Sequence, residues 1–389
     1  MNFILFDEPL AWKKLNPISL TRPIGDIRLG ILRIVEKWEK RLNADFSFLC
    51  EEYLSEKFTC IYAEDNLYVN ASVLPTAEII EAILKLKPEE CLINDEIVIA
   101  TRSSKQFKYG FIEGNFNKVS FEKPIRKLDA LVKTFLKNAD EIKADFELIT
   151  KNRKSKTLQD PHVIQYGTEN IFIEETANLK ACILNAENGP IYIGKNAVIQ
   201  EGSLIIGPAA INEDAMVAFG AKIRPNTTLG PVCRVGGEVG NSIFQGYSNK
   251  AHDGFIGNSF IGEWCNLGAN TNNSNLKNDY KEVTLYDYST EKLENTGELF
   301  CGTFMGDYTK AGISTMFNTG TVVGVSSNVY GADFQEKYIP SFSWGGKIDG
   351  YQNYRFDKAI EVIRATKARK ELDLDDKDLQ ILKHIAKQN

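Results

Sequence analysis

The sequence predicts an α/β layered domain over residues 1–150 and a parallel β-helix over residues 171–346. Two patterns carry this expectation. From Ile193 an aliphatic residue returns every six positions, as Ile193, Ile199, Ile205, Ile211, Val217, Ile223, Leu229 and Val235. A small or slender residue keeps the same period four places on, as Ala197, Ser203, Ala209, Ala215, Ala221, Thr227 and Cys233. A six-residue repeat fits neither an α-helix nor a lone strand. It fits a coil of three short strands, about eighteen residues per turn, with the aliphatic residue pointing inward. The small residue then stands where the chain bends tightly. The second pattern is the alternation of strand and helix signals before residue 150, which implies a largely parallel sheet with helices packed on it.

In chain order, Phe3 to Phe6 reads as a buried strand followed by a loop, and the apolar spacing turns helical from Ile31 to about Leu42. Glu51 to Phe58, Thr76 to Leu86 and Leu128 to Ile149 read as helices. Leu67 to Val69, Cys91 to Ile93 and Ile97 to Ala100 read as strands. The polar, basic stretch around Lys151 to Asp160 suits a linker, taken as residues 151–170. The six-residue period continues loosely through Ile256, Ile261 and Leu267, breaks for a polar excursion from about Asn270 to Glu298, and resumes at Ile313, Thr319 and Val325. Residues 347–389 read as a tail whose helices, about Phe356 to Glu371 and Asp376 to Gln388, cap the open end of the coil.

Composition narrows the function classes. A net charge of -6 disfavours a nucleic-acid binder, which needs a basic face. No apolar run approaches the about 18 residues of a membrane span. The start of the chain lacks the basic and apolar regions of a signal peptide. The seven cysteines are scattered and never form a C-x-x-C pair, which suits thiols in a reducing cytoplasm.

Histidine is the scarcest chemically informative residue: His162, His252 and His384. His162 beside the linker and His384 in the last helix suit structural roles. His252 lies within the coil, in Asn249-Lys250-Ala251-His252-Asp253-Gly254, where a base and a plain surface residue are both open readings. A single histidine on the coil rules out a three-histidine zinc site there.

The run from Glu238 to Leu285 resembles the acetyltransferase domain of the bifunctional enzymes that make UDP-N-acetylglucosamine. The resemblance rests on His252, on Asn266-Leu267-Gly268-Ala269 fourteen residues later, on Asn275 and on Lys281, with no gap between Glu238 and Lys281. It implies that His252 is the catalytic base, that Asn266, Ala269, Asn275 and Lys281 bind substrate, and that acetyl-CoA is the acyl donor. Amide formation needs a base of near-neutral pKa to take the amine proton, and turn chemistry is the alternative reading for the asparagines. The chain departs from the family at Gly240-Asn241, where a basic pair is common, and at Phe255 and Leu276, where tyrosines stand. The acceptor therefore need not be glucosamine 1-phosphate.

The N-terminal half is similar to sugar-phosphate nucleotidyltransferases, which open with a strand and a Gly-rich loop ending in Thr-Arg. Here Thr21-Arg22-Pro23 is present, with no glycine before Gly25. The resemblance implies a Rossmann-like domain, Arg22 against phosphate, Asn70 where a metal-binding aspartate belongs, and UTP with Mg2+ if this half is active. Arg22 as a brace of the turn, and Asp7 and Asp26 as magnesium ligands or loop caps, stay open. Taken whole, with Met316 to Gly324 and Pro340 to Gly346, the chain resembles a divergent bacterial form of that bifunctional family. This implies a left-handed β-helix, a homotrimer with sites between subunits, small-molecule amino-sugar phosphate and nucleotide substrates, and coenzyme A phosphates near the basic tail at Lys367 and Arg369. A regulatory or scaffold relative that binds a sugar nucleotide without turnover is the rival reading. A nucleotidyltransferase with a purely structural coil is a third.

Overall fold

The structure is a computed structural model that describes residues 1–110, 112 and 114–388. The chain forms two compact units. One comprises residues 1–27, 32–131 and 376–384, the other residues 28–31, 132–375 and 385–389.

The first unit is built on a six-stranded sheet. Its strands are β1 (Asn2–Phe6), β2 (Phe46–Leu49), β3 (Asn66–Asn70), β4 (Glu90–Asn94), β5 (Ile97–Ser103) and β6 (Asn117–Ser120), in the order β2-β1-β3-β5-β4-β6. β1 runs parallel to β2 and β3, but β5 is antiparallel to both of its neighbours. The sheet is thus mixed rather than largely parallel. Asn94 and Ile97 pair across a two-residue turn, and a hairpin reverses direction where a crossover helix would keep it. Helices are α1 (Pro9–Lys14), α2 (Ile34–Leu42) and α3 (Ala77–Leu84). Thr76 caps α3, its hydroxyl accepting from the Ile79 N–H. The segment expected as a helix at Glu51 to Phe58 holds only a 3-10 turn at Glu52–Leu54, and α1 occupies the expected loop after β1.

The second unit is a parallel β-solenoid with faces of six, nine and ten stacked strands. All eight members of the predicted aliphatic series are buried, as are the seven small residues of the companion series. The ladder pairs Ile193 with Ile211 and Ile211 with Leu229, so one turn takes eighteen residues as the period requires. Each buried aliphatic side chain contributes about 1.5–3 kcal/mol. Stacking is therefore the main stabiliser. The turn shortens to fifteen residues where Thr228 pairs with Ile243 and Arg234 with Asn249, which is why the period loosens there. Past the excursion the inward residues are Ala311, Phe317, Val323 and Val329. Ile313, expected inward, lies two positions out of phase and is 75% exposed on a corner. The excursion itself begins after the strand Asn272–Asn273, and it contains an antiparallel hairpin of Thr284–Asp287 with Lys292–Asn295.

The first solenoid strand is Ile164–Tyr166, inside the stretch expected as linker. α4 (Val132–Thr150) packs with the solenoid unit, as does α5 (Phe356–Ala368), whereas most of α6 (Asp376–Ala386) belongs to the first unit. The coil end is covered by an antiparallel return, Ser343–Gly346 against Gly350–Asn353. No helix among the described residues is long and apolar enough to cross a membrane.

Residues 28–31 join the solenoid unit through a buried polar network. The Gly30 N–H donates to Asn138 Oδ1 (2.8 Å), the Ile31 N–H to Asp145 Oδ2 (2.9 Å), and Thr228 Oγ1 to the Gly30 carbonyl (3.0 Å). Gly30 has φ +80°, and a Cβ there would lie 2.6 Å from Asp145 Oδ2 and 2.7 Å from the Glu141 backbone. Strain and clash act together. We expect Gly30→Ala to destabilise the fold by about 2 kcal/mol or more, read as a lower denaturant midpoint. An unchanged midpoint would remove this constraint from the fold.

Candidate functional site

His252 lies on the corner that follows the ten-stranded face, directly after the strand Asn249–Lys250. It is exposed, and its imidazole makes no hydrogen bond or ion pair to the described residues. Asn249 pairs with Asn266 in the next coil, so the ladder sets His252 and Ala269 at equivalent corner positions of adjacent coils. The Asn249 amide donates to Asn266 Oδ1 (2.8 Å), fixing that side chain on the outer face. The following coil strand brings Asn275 round to the next corner, where its amide donates to Asn258 Oδ1 (2.8 Å). Phe255 and Asn275 meet over Gly257: a Cβ there would lie 2.6 Å from the Phe255 ring and 2.8 Å from Asn275 Nδ2. Lys281 stands apart on the excursion, exposed and 3.4 Å from Asp279. Within one chain it forms no hydrogen bond or ion pair with His252, Asn266 or Asn275 among the described residues.

Two asparagines of the turn-rich run do structural work. Asn272 Oδ1 accepts from the Phe255 N–H (2.7 Å) and Asn273 Oδ1 from the Gly257 N–H (2.9 Å), replacing ladder carbonyls at the start of the excursion. Such buried donors must be matched.

The residue that sequence reasoning missed is Lys250. The inward column of the ten-stranded face reads Leu179, Ile199, Val217, Val235, Lys250, Leu267, Ala311, Val329, so an amine occupies an aliphatic slot. Lys250 is 1% exposed, and its Nζ donates to the His252 carbonyl (2.7 Å) and the Gly236 carbonyl (3.2 Å). Burial pushes its pKa down to about 8, against a weaker upward pull from Asp253. The signal was available in the sequence, since Lys250 falls fifteen residues after Val235 rather than eighteen.

Tail residues flank the same face. Lys367 Nζ lies 5.1 Å from the centre of the Trp264 ring, and Trp264 stacks on Tyr247 at 4.4 Å. Arg369 lines a cavity together with Asn266. All seven cysteines are thiols, and burial pushes Cys233, Cys265 and Cys301 up to about 12, so they are packing groups.

In the first unit a cavity of about 410 Å³ opens at the C-terminal ends of β1, β2 and β3, where open α/β sheets bind ligands. Asn70 lines it, but its groups are spoken for: Oδ1 accepts from the Ser72 N–H (3.0 Å) and hydroxyl (2.7 Å), and its amide donates to the Val98 carbonyl (3.0 Å). Arg22 does not line it. Its guanidinium is buried 3.2 Å from Asp26, which also holds Arg33 at 2.6 Å. That is the bracing role. Asp7 does line the cavity, with Oδ1 accepting from the Ile24 N–H (3.0 Å) and Oδ2 buried without a hydrogen bond to the described residues. Burial raises its pKa well above the carboxylate range, with a smaller push from Glu51. No group of three or more side chains suited to a metal occurs among the described residues. A resident magnesium therefore does not fit: Asn70 is satisfied, Asp26 is paired to arginine and Asp7 is held toward its neutral form. His384 stacks on Tyr53 at 4.0 Å, and His162 is exposed beside Asp160.

Residues 3–154 match the family model described as sugar nucleotidyl transferase. The N-terminal part of the chain is thus similar to the sugar nucleotidyl transferases. The "Bifunctional protein GlmU" of Methanococcus aeolicus is 38% identical over 109 residues, covering 28% of this chain and 26% of its own length. That of Methanococcus vannielii is 36% identical over 157 residues, 38% of this chain and 37% of its own. The "Bifunctional sugar-1-phosphate nucleotidylyltransferase/acetyltransferase" of Sulfurisphaera tokodaii is 30% identical over 144 residues, 36% and 35% respectively. The chain spans between about a quarter and little more than a third of the length of these relatives.

Lys250 gives a testable pH dependence. Its folded pKa of about 8 lies below the ordinary lysine value of 10.5. The unfolded chain therefore binds the extra proton between those values, and stability rises with pH across that window. Below pH 8 the full penalty applies, on the order of 3 kcal/mol. Lys250→Met is expected to be more stable than wild type at pH 7 and to lack the rise between pH 8 and 10 in denaturant titrations. A wild-type rise retained in the variant would refute the assignment.

Proposed function

We propose that the chain is a sugar-nucleotide biosynthetic transferase whose solenoid moves an acetyl group from acetyl-CoA to an amino-sugar 1-phosphate, with glucosamine 1-phosphate as the first acceptor to test. The observation that carries this reading is the His252 corner: an exposed imidazole with no hydrogen-bond or ion-pair partner among the described residues, set by a buried amine on its own carbonyl. His252 takes the proton of the attacking amine as the C–N bond forms. The C–S bond then breaks and the coenzyme A thiolate leaves, to be protonated. Backbone N–H groups of the corner stabilise the oxyanion. Asn266, Ala269 and Asn275 line the acceptor side, and Lys281 meets its phosphate as a point charge. Phe255 removes a hydroxyl from that wall, which loosens the choice of sugar. Three copies packed around a shared threefold axis would let Lys281 of one subunit serve the His252 corner of another. Lys367 and Arg369 lie on the coenzyme A side. Free thiols throughout suit a cytoplasmic setting.

For the first unit, the observations favour binding of a sugar nucleotide without turnover. A helix stands where nucleotidyltransferases carry a Gly-rich loop, Arg22 is committed to Asp26, and the cavity is lined by Asp7, Glu8, Glu96 and Asp129 against only Lys14 and Lys127. With Asp7 held toward its neutral form, three carboxylates still face only two lysines, which opposes a triphosphate.

Two assays test these readings. Thiol release from acetyl-CoA with glucosamine 1-phosphate is expected for wild type and to fall about 10²-fold or more in His252→Ala; equal activity would sink the role of His252. Pyrophosphate release with UTP, Mg2+ and N-acetylglucosamine 1-phosphate is expected to be absent while UDP-N-acetylglucosamine still binds. Robust release would establish the nucleotidyltransferase activity instead.

A further inference from the structure

A second cavity in the solenoid unit, about 180 Å³, is lined from two sides by cations. Arg234 and Lys310 rise from the ten-stranded face, and Arg369 and Lys370 come from the end of α5. None of the four has a carboxylate ion-pair partner among the described residues, and no carboxylate lines the cavity. The Lys310 Nζ donates to the Trp264 carbonyl (2.7 Å), and burial pushes its pKa down to about 8. Lys370 is also pushed down, first by burial and then by Arg234 and Arg369, each acting more strongly than the upward pull of Asp214.

Cations at the end of a helix are favoured by its dipole, which accounts for Arg369 and Lys370. It does not account for Arg234 and Lys310 facing them from the sheet. In a chain of net charge -6, four like charges converging on one hollow repel one another. Their convergence has a physical rationale once an anion sits between them. The cavity is smaller than the several hundred Å³ of a whole-ligand site, so it suits a headgroup. Two guanidinium forks, two ammonium groups and the Asn249 and Asn266 amides supply the donors a tetrahedral oxyanion takes. We propose that this cavity is a binding site for a phosphate ester dianion, held by Arg234, Lys310, Arg369 and Lys370. It deepens the proposed reading, which already places Arg369 and Asn266 on the ligand side, and phosphate binding without turnover tests it apart from the role of His252.

The test is calorimetric titration of the full chain with inorganic phosphate, a readout that needs no turnover. Binding is expected, weakened about tenfold or more in Arg234→Gln/Arg369→Gln and unchanged in Lys195→Gln, an exposed lysine elsewhere on the coil. No binding to wild type at millimolar phosphate, or equal loss in both variants, overturns the proposal. If the double variant does not fold, Arg369→Gln alone carries the same expectation. Two further arms identify the phosphate carrier. Coenzyme A is compared with 3′-dephospho-coenzyme A, and glucosamine 1-phosphate with glucosamine. The pair whose difference in affinity shrinks in the variant supplies the phosphate. If neither shrinks while inorganic phosphate binding does, the occupant is free phosphate.

Discussion

The larger unit depends on one constraint: a triangular coil must keep its interior aliphatic at every turn, because three parallel sheets close on each other with no other core. The six-residue period is the direct imprint of that requirement, and the small residues four places on are the imprint of its corners. Once the column is stacked, every corner residue is fixed to within the ladder's register. A corner histidine, a half-buried asparagine three residues before the next corner and an amide one coil later thereby acquire defined relative positions without any local machinery to place them. The solenoid is a ruler, and its chemistry lies at marks on it.

Lys250 is the one ionisable side chain in the inward column of the ten-stranded face, and it lies two residues before His252. A solenoid turn of fifteen residues has fewer residues to round the same three corners as one of eighteen. The shortened turn leaves the carbonyls of Gly236 and His252 facing inward, and a buried carbonyl needs a donor. A lysine stem fills the space of an aliphatic side chain while its amine supplies that donor. The cost is a desolvated ammonium, and the gain is a corner whose backbone is fastened from inside. That the exception to the core rule lies under the one coil histidine is consistent with the corner being held for a purpose other than stability.

Legibility followed the strength of the physical constraint. The inward series from Ile193 to Val235 was readable because a buried column admits no polar substitute over eight consecutive positions. Phase was lost at Ile313 because the excursion inserts an unmeasured length of chain, and a period carries no memory across an insertion. The mixed sheet of the first unit was not readable, since Cys91 to Ala100 gives two strand signals whatever their direction. The geometry of the Asn94 to Ile97 turn decided it. Arg22 and Asn70 were named from resemblance; the structure shows the first held by Asp26 four residues on and the second by Ser72 and the Val98 carbonyl, and residue spacing alone does not separate such a brace from a ligand contact. His252, Asn266, Ala269 and Asn275 were placed in order because the ladder converts sequence spacing into space; Lys281, on the excursion, has no such conversion.

The two units differ in how much of their chemistry remains uncommitted. In the first, the buried Thr21-Arg22-Pro23 segment is closed by the ion pair of Arg22 with Asp26, and the cavity presents more acids than bases even with Asp7 held toward neutrality. A polyphosphate entering it would meet uncompensated carboxylates with Arg22 held away by Asp26, and both oppose tight triphosphate binding. In the second, the outer face carries an exposed imidazole without a hydrogen-bond or ion-pair partner among the described residues, and four cations that converge on one hollow without carboxylate partners there, a convergence that costs stability unless an anion completes it. The charge distribution is thus consistent with the proposed reading, in which the coil carries the transfer and the first unit binds without turnover.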